Sequence, residues 1–163
     1  MTQIVDDFLD DGTFQELIES YNGCRMYSAY DYGERRGSTY YAVQDWVGCY
    51  RSDNLSDLFD DVYKKIKNEL GIDTKLMTFF KHPVDNFPTL QSYGMDIPQH
   101  IDRNFERSGV LYLIGGEGMG TTVKDEYVEW KTNRAIAFDA QTLHNPNFGG
   151  KDRIVLTFFG NKS

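Results

Sequence analysis

Beyond Gly71 the chain breaks into short apolar runs, and this rhythm constrains the fold more than any other feature of the sequence. The runs are rich in Val, Ile, Tyr, Phe and Thr and are separated by Gly, Pro, Asn and Asp at intervals of roughly eight to twelve residues, as in all-β domains. Predicted strands cover residues 75–81, 89–93, 99–102, 109–114, 120–123, 127–130, 134–138, 142–145 and 153–159. So many short strands predict a mainly β (α+β) fold, a sandwich or jelly roll closed by helices.

Two helices are predicted near the N-terminus. The first begins at Thr13, whose spacing to Glu16 is that of a capping box, and ends at Gly23. The second covers residues 54–70 and has an apolar stripe of helical period. The stripe is formed by Leu55, Leu58, Phe59, Val62, Tyr63, Ile66 and Leu70. Both helices are most simply scaffold that supports the strands.

Length and charge narrow the class of protein. A chain of 163 residues predicts one domain, residues 1–163, with a core of its own. Its 25 acidic residues outnumber the 17 basic ones, for a net charge of −8. This sign opposes sequence-independent capture of a phosphate backbone, so nucleic acid is a disfavoured partner.

Cysteine usage and hydropathy predict the compartment. Cys24 and Cys49 form no disulfide framework, and residues 1–4 do not resemble the start of a secretory signal. No apolar stretch approaches the roughly 20 residues that a membrane helix needs. The sequence therefore predicts a soluble, cytoplasmic protein with reduced thiols and no membrane partner.

Two of the three histidines stand where they could bind a metal. On a strand, residues two apart project from the same face, so His100 and Asp102 would point together while Ile101 faces away. His144 lies in another predicted strand, just before a turn. Two imidazoles and one carboxylate on a β scaffold form the facial triad of non-haem iron(II) oxygenases. Zinc is the main rival, but structural zinc usually takes cysteine ligands and neither cysteine has ligand spacing, so iron is favoured. His82 is assigned no role.

Arg153 is the candidate for binding an anionic co-substrate. It lies nine positions after His144 and opens a strongly apolar strand, where a permanent charge needs a carboxylate partner that its planar fork can bind bidentately. A salt bridge to Asp139 or Asp152 is the structural alternative. By strand parity Thr157 shares the face of Arg153 and could donate a hydrogen bond into the same pocket.

The order of these motifs resembles that of a known family. His100-x-Asp102 is followed by Val110-Leu111-Tyr112-Leu113, by residues 118–123 and 133–139, by His144 and by Arg153. Together with the opening residues 4–9, this order resembles the prolyl 4-hydroxylase branch of the iron(II)- and 2-oxoglutarate (2OG)-dependent dioxygenases, and the resemblance covers nearly the whole chain.

The resemblance implies a fold, cofactors and site residues. The fold would be a double-stranded β-helix (jelly roll) in which His100, Asp102 and His144 bind Fe(II) and Arg153 binds the distal carboxylate of 2OG. Tyr112 matches a tyrosine that helps to hold that carboxylate. O2 would be the oxidant, and ascorbate is expected to support activity in vitro. An aspartate at position 102 leaves no place for a halide ligand, which favours hydroxylation over halogenation.

The chain departs from the family pattern in two places. The Gly-Gly-x-Thr turn of the family is spread over residues 115–122, and collagen-type relatives often have lysine where Arg153 stands. The identity of the substrate is therefore not inherited with the fold. Tyr93, seven residues before His100, is either a further wall of the co-substrate pocket or a core tyrosine.

Residues 27–41 are the candidate substrate loop. They combine five tyrosines and two glycines with the pair Arg35-Arg36, a pattern that fits either ordinary surface or a lid over the substrate. Tyr40 and, just beyond the loop, Trp46 complete the set of candidate substrate-binding residues, although Trp46 is more simply a packing residue.

The function that these expectations favour is hydroxylation of an unactivated C–H bond, with a prolyl or other peptidyl residue as the leading substrate. Two alternatives stay open. One is an oxygenase that acts on a free metabolite or a nucleobase. The other is a jelly-roll binding module without turnover, since a fold does not guarantee activity. Retention of all three ligand residues together with Arg153 argues against that second alternative.

Overall fold

Two antiparallel β-sheets form the framework of the protein in a computed structural model that describes residues 2–24, 27–28, 45–50, 57–82 and 99–163. The strands in these ranges are β1 (Gln3–Val5), β2 (Tyr27–Ser28), β3 (Asp45–Tyr50), β4 (Ile72–His82), β5 (Arg107–Ile114), β6 (Thr121–Val123), β7 (Glu126–Val128), β8 (Ala135–Asp139), β9 (His144–Pro146) and β10 (Arg153–Lys162). The larger sheet has the order β1-β8-β5-β10-β4-β3-β2 and the smaller one the order β7-β6-β9. This arrangement confirms the predicted jelly roll with supporting helices.

Strand parity divides the apolar residues between two layers. One face of the larger sheet packs on the helices, and its buried side chains include Leu111, Leu156 and Phe158. The opposite face turns toward the smaller sheet through alternate residues of the same strands, among them Tyr112 and Val155. The candidate site residues of β5 and β10 belong to this second layer, so the space between the two sheets is where a site can form.

The first helix, α1, covers Asp11–Gly23 and begins before its predicted start. The predicted capping box at Thr13 and Glu16 is wrong, because Asp10 is the N-cap and its carboxylate accepts hydrogen bonds from the backbone N–H and the hydroxyl of Thr13, each at 2.8 Å. Asp10 satisfies the backbone N–H of Thr13, whereas the predicted Thr13 cap would have satisfied that of Glu16, three residues later.

The second helix, α2, covers Asp57–Leu70, and its predicted start at residue 54 lies outside the described residues. Its end agrees with the prediction, since Gly71 follows with a φ of +66°, a left-handed conformation that glycine adopts at little cost. Val62, Tyr63, Ile66 and Leu70 of the predicted stripe are buried against the larger sheet.

Residues 99–102 are the main exception among the predicted strands. Only His100 makes a β-bridge, and the segment then turns at residues 103–104, where Asn104 has a φ of +77°. The short strands β1, β2 and β3 were not predicted, and the predicted strand at 89–93 lies outside the described ranges. In the part of the chain that is described, no helix is long and apolar enough to cross a membrane.

Candidate active site

The backbone brings the two predicted histidine ligands face to face. His100 and His144 exchange both N–H···O hydrogen bonds, each 3.0 Å long, although the segment that carries His100 is not a strand. The next ligand candidate is anchored in the same way, because the N–H of Asp102 donates to the carbonyl oxygen of Ala140 at 2.8 Å. The turn between β8 and β9 therefore holds the His-x-Asp segment in place through its main chain.

His100, Asp102 and His144 converge on one point. Each offers a ligand atom, and these three atoms lie within 4.8 Å of one another. The Nε2 atom of His144 is 3.0 Å from Oδ2 of Asp102, and the Nε2 atom of His100 is 3.8 Å from Oδ1. Two imidazoles and a carboxylate gathered in this way fit a divalent metal such as iron(II), in the facial arrangement that leaves positions for other ligands.

The ring of His144 is oriented for metal binding. Its Nδ1 atom lies 2.8 Å from the carbonyl oxygen of Thr142. Because a carbonyl oxygen can only accept, Nδ1 carries the proton and the lone pair of Nε2 points toward the cluster. The ring of Phe138 packs against the imidazole with a centroid separation of 4.6 Å and limits its rotation. This support is the kind that metal-binding histidines usually have.

The carboxylate of Asp102 is held by a buried hydroxyl. Ser108, on β5, donates a 2.5 Å hydrogen bond to Oδ2 of Asp102. Burial acts to raise the pKa of Asp102, but the close imidazoles of His144 and His100 and the hydrogen bond from Ser108 prevail and hold the pKa below its ordinary value. The group is therefore an ionised carboxylate at neutral pH, as a metal ligand must be.

Arg153 opens β10 and points into the layer between the sheets, where its side chain is buried. Its Nε–H donates to the carbonyl oxygen of Met119 at 2.9 Å, and Nη2 donates to the carbonyl oxygen of Gly120 at 3.3 Å and to the hydroxyl oxygen of Thr121 at 3.1 Å. Asp139 and Asp152 were the two carboxylates that the sequence offered as alternative salt-bridge partners of Arg153. Asp139 accepts a hydrogen bond from the N–H of Gln141. Asp152 lies 3.9 Å from the amine of Lys81.

Tyr112 reaches the same point as Arg153 from the neighbouring strand. Its hydroxyl donates to Oγ1 of Thr121 at 2.9 Å, so Thr121 accepts from both predicted co-substrate residues. The ring of Tyr112 stacks on Trp130 at 4.6 Å, and Cζ of Arg153 lies 5.9 Å from the centre of the Tyr112 ring. Burial raises the pKa of Tyr112, which keeps its hydroxyl protonated as a donor.

The smaller sheet links the metal-ligand candidates to the residues around Arg153. Thr121 pairs with Pro146, and Val123 pairs with His144. The hydroxyl-bearing residue Thr121 and the metal-ligand candidate His144 therefore lie two positions apart along adjacent strands. Two residues along a strand correspond to about 7 Å. A short dicarboxylate, anchored at one end by a metal and at the other by Arg153, has the length to span such a gap.

The structure also places the remaining candidates. Thr157 lies on the predicted face, but its hydroxyl donates to the carbonyl oxygen of Thr78, its direct partner across β10 and β4, at 3.1 Å. Its role in co-substrate binding stays a prediction. His82, which the sequence left without a role, is buried opposite Arg153 in the same strand pair. Five predicted site residues have side chains outside the described part of the chain: Tyr93, Arg35, Arg36, Tyr40 and Trp46.

Sequence reasoning missed two residues of this site. Ser108 shares strand parity with Tyr112, which would have placed it on the inner face, but nothing in the sequence connects it with Asp102. Thr121 lies in the glycine-rich stretch that was compared with the family turn, and only the fold shows that it bridges Tyr112 and Arg153. Both contacts join segments that are separate in the chain.

The two-sheet jelly roll of this chain is similar to that of the 2OG-Fe(II) oxygenases, solved structures of which match it over nearly its whole length. A prolyl-4-hydroxylase from Pseudomonas putida matches with a TM-score of 0.59 and 14% identity, over 99% of this chain and 93% of the other. The collagen prolyl hydroxylase of Paramecium bursaria Chlorella virus-1, solved as its 2OG complex, matches with a TM-score of 0.60 and 13% identity, over 97% and 93%.

A third solved structure extends the likeness beyond the prolyl hydroxylases. It is an oxidoreductase of the 2OG-Fe(II) oxygenase family from Burkholderia pseudomallei, with a TM-score of 0.64 and 10% identity, over 99% of this chain and 86% of the other. The sequence matches no protein-family model and no curated protein. At such low identities the likeness establishes the prolyl-4-hydroxylase-like fold, and the chemistry must be argued from the site residues themselves.

Proposed function

We propose that this protein is an iron(II)- and 2OG-dependent dioxygenase that hydroxylates an unactivated C–H bond, and that residues 1–163 form its single catalytic domain. The observation that carries the proposal is the convergence of His100, Asp102 and His144 within 4.8 Å, inside a fold shared with solved 2OG-Fe(II) oxygenases. When bound, iron and 2OG supply the oxidising power by coupling O2 to the oxidation of 2OG to succinate and carbon dioxide.

The residues of the chain supply binding and orientation. His100, Asp102 and His144 hold the metal on one side, with the tautomer of His144 set by the Thr142 carbonyl oxygen. Arg153 pairs with the distal carboxylate of 2OG, because a buried guanidinium recognises a carboxylate strongly in surroundings that exclude water. Tyr112 and Thr121 complete that end of the pocket. Ascorbate is proposed only as a supporting reductant in vitro.

A peptide is the favoured substrate, with a prolyl residue as the first candidate. A groove of about 370 Å³, whose lining includes the chain neighbours of both histidine ligands, offers side-chain amides, a hydroxyl, an aliphatic residue and one charge of each sign, a mixture that suits a peptide chain. Its lining residues are Gln99, Lys124, Asp125, Gln141, Thr142 and Leu143. The net charge of −8 disfavours nucleic acid, and a cytoplasmic location is proposed with the peptide substrate.

Metal analysis tests the proposed iron site. The purified protein should bind one iron(II) per chain, and Asp102→Ala should abolish binding because a ligand is lost. Glu126→Gln is the matched control, since it removes an exposed carboxylate outside the cluster and should bind iron as the wild type does. Full iron occupancy in Asp102→Ala would refute the site.

Succinate release tests the reaction. With iron(II), ascorbate and 2OG present, a library of peptides should stimulate succinate formation, and the stimulated peptide should gain one oxygen atom by mass spectrometry. Stimulation by free amino acids or nucleotides but not by peptides would overturn the proposed substrate class. Binding of metal and 2OG without any succinate release would support a jelly-roll binding module instead.

A further inference from the structure

The side chain of Asp102 needs support that its own segment does not provide. Asp102 lies between an isolated β-bridge at His100 and a turn at residues 103–104, so no continuous strand holds it on both sides. Its main chain is fixed by the N–H contact to Ala140, and Gln141 donates from its side-chain amide to the carbonyl oxygen of Asp102 at 3.3 Å. These bonds fix the backbone but leave the two side-chain torsions of the carboxylate to be set by other contacts.

Ser108 is positioned to set them. It is the second residue of β5, which lies between β8 and β10 in the larger sheet, and it pairs with Phe138 on one side and Phe159 on the other. Ser108 is 1% exposed. Pairing on both sides fixes the backbone of Ser108 and the direction of its Cβ, so the sheet determines the position from which its hydroxyl reaches Asp102.

The contact between the two residues is short. The Ser108 hydroxyl lies 2.5 Å from Oδ2 of Asp102. Hydrogen bonds from a hydroxyl to an ionised carboxylate are both shorter and stronger than those between neutral groups. The oxygen that accepts from Ser108, Oδ2 of Asp102, is also 3.0 Å from Nε2 of His144. The hydrogen bond from Ser108 therefore keeps the carboxylate next to that imidazole.

We propose that Ser108 is a positioning residue that fixes the Asp102 carboxylate in its metal-binding orientation and thereby determines the metal affinity of the site. The inference rests on the proposed function, because it assumes that Asp102 is a metal ligand. Residues that hold a ligand without touching the metal typically contribute about 10- to 100-fold to its affinity. The expected contribution of Ser108 is in this range.

Two substitutions of equal size separate the hydrogen bond from packing. Ser108→Thr retains the hydroxyl, whereas Ser108→Val replaces it with a methyl group and can donate no hydrogen bond. Both residues are favoured in strands, so each should leave β5 intact. Ser108→Ala removes the donor without adding volume. Thr74→Val is the control for loss of a buried hydroxyl elsewhere in the larger sheet, because Thr74 on β4 is 2% exposed.

Cobalt(II) is a suitable probe because its visible absorption reports the geometry of its ligands and no turnover is needed. Titration of the metal-free protein should give a cobalt dissociation constant that rises by about tenfold or more in Ser108→Val and Ser108→Ala, with altered absorption bands. Ser108→Thr should restore most of the affinity and the wild-type bands, and Thr74→Val should match the wild type. Thermal unfolding of the metal-free variants shows that each one is folded.

The outcomes distinguish this inference from the proposed function. If the wild-type protein binds no cobalt, or binds it equally well after Asp102→Ala, the metal site itself fails. If the wild type binds cobalt but Ser108→Thr and Ser108→Val bind it equally, the hydroxyl has no positioning role and the inference alone is overturned. If one of the three variants at position 108 does not fold, the remaining comparison with the wild type decides between these results by the same criterion.

Discussion

At the scale of single residues, the guanidinium of Arg153 is preorganised for a ligand by its hydrogen bonds. Its hydrogen bonds to the carbonyl oxygens of Met119 and Gly120 and to the hydroxyl of Thr121 hold the guanidinium in one orientation. A planar guanidinium that is already immobilised loses little conformational entropy when a carboxylate binds. An immobilised, buried guanidinium therefore favours recognition of a carboxylate.

Replacement of Arg153 tests this role. Arg153→Ala should weaken 2OG binding by about 2–5 kcal/mol, because a charged partner is removed from a buried site. Arg153→Lys should recover part of this loss, since an ammonium keeps the charge but cannot form a planar fork. Calorimetry in the presence of a redox-inert metal measures both affinities. The metal affinity itself should not change.

A substitution two residues before Arg153 provides the control for that experiment. Lys151→Ala removes an exposed cation and should leave 2OG affinity unchanged. Equal 2OG affinity in Arg153→Ala and the wild type would show that the distal carboxylate binds elsewhere.

At the scale of secondary-structure elements, two substitutions can test which residue caps the N-terminus of α1. Asp10→Ala should lower the free energy of unfolding measurably, because the N–H of Thr13 loses its acceptor. Glu16→Ala should have little effect, since the Thr13 to Glu16 capping box predicted from the sequence does not form. Urea unfolding of the two variants compares them directly. A larger loss for Glu16→Ala would contradict the observed cap.

The edge strand β1 is tied to the sheet by an ion pair that predicts a pH dependence. Arg134, just before β8, donates from Nε to Oδ1 of Asp6 at 2.6 Å and from Nη2 to Oδ2 at 3.2 Å. The hydrogen bond from Arg134 is the main cause that lowers the pKa of Asp6 to about 2, from an ordinary value of 3.8. A lowered pKa means that the pair stabilises the fold above about pH 4 and loses this contribution as the pH falls toward 2.

Asp6→Asn should therefore be less stable than the wild type at neutral pH. The difference should be about 1 kcal/mol or less, because the pair is partly exposed and screened by solvent. It should shrink as the pH falls from 4 to 2, which urea unfolding at several pH values can measure. A difference that stays constant over this range would show that the lowered pKa of Asp6 does not contribute to stability.

At the scale of the whole molecule, the proposed ligands would connect parts of the chain that lie far apart. The metal-ligand candidates come from the segment at residues 100–102 and from β9, and Arg153 comes from β10 of the other sheet. Metal and 2OG together would therefore bridge the two sheets. Ligands that bind only the folded state stabilise it according to their concentration and affinity.

Thermal unfolding should report this linkage. A ligand at a hundred times its dissociation constant contributes about 2.7 kcal/mol. For a domain of this size that corresponds to a rise in Tm of roughly 5–10 °C. Manganese(II) and 2OG added together should raise the Tm of the wild type and leave that of Asp102→Ala nearly unchanged. An equal rise in both proteins would place the binding outside the proposed site.

The sequence alone was enough to predict the jelly roll and the main candidates for its site. Alternating apolar residues in short runs determined the strands β4 to β10 to within a few residues, because a strand buried on one face must repeat with a period of two. His100, Asp102, His144 and Arg153 were predicted from their order, and the structure brings the first three together as expected. Their chemical roles remain proposals.

The tertiary structure decided what depends on contacts between distant segments. The segment around Asp102 was predicted as a strand because local parity accounts for two aligned side chains, but hydrogen bonds to the β8–β9 turn hold it instead. The contact of Ser108 with Asp102 and the shared acceptor Thr121 of Tyr112 and Arg153 also could not be predicted. A sequence pattern reports the face of an element on which a residue lies, whereas the partner of a polar group depends on how separate strands are aligned, and only the packed sheets determine that alignment.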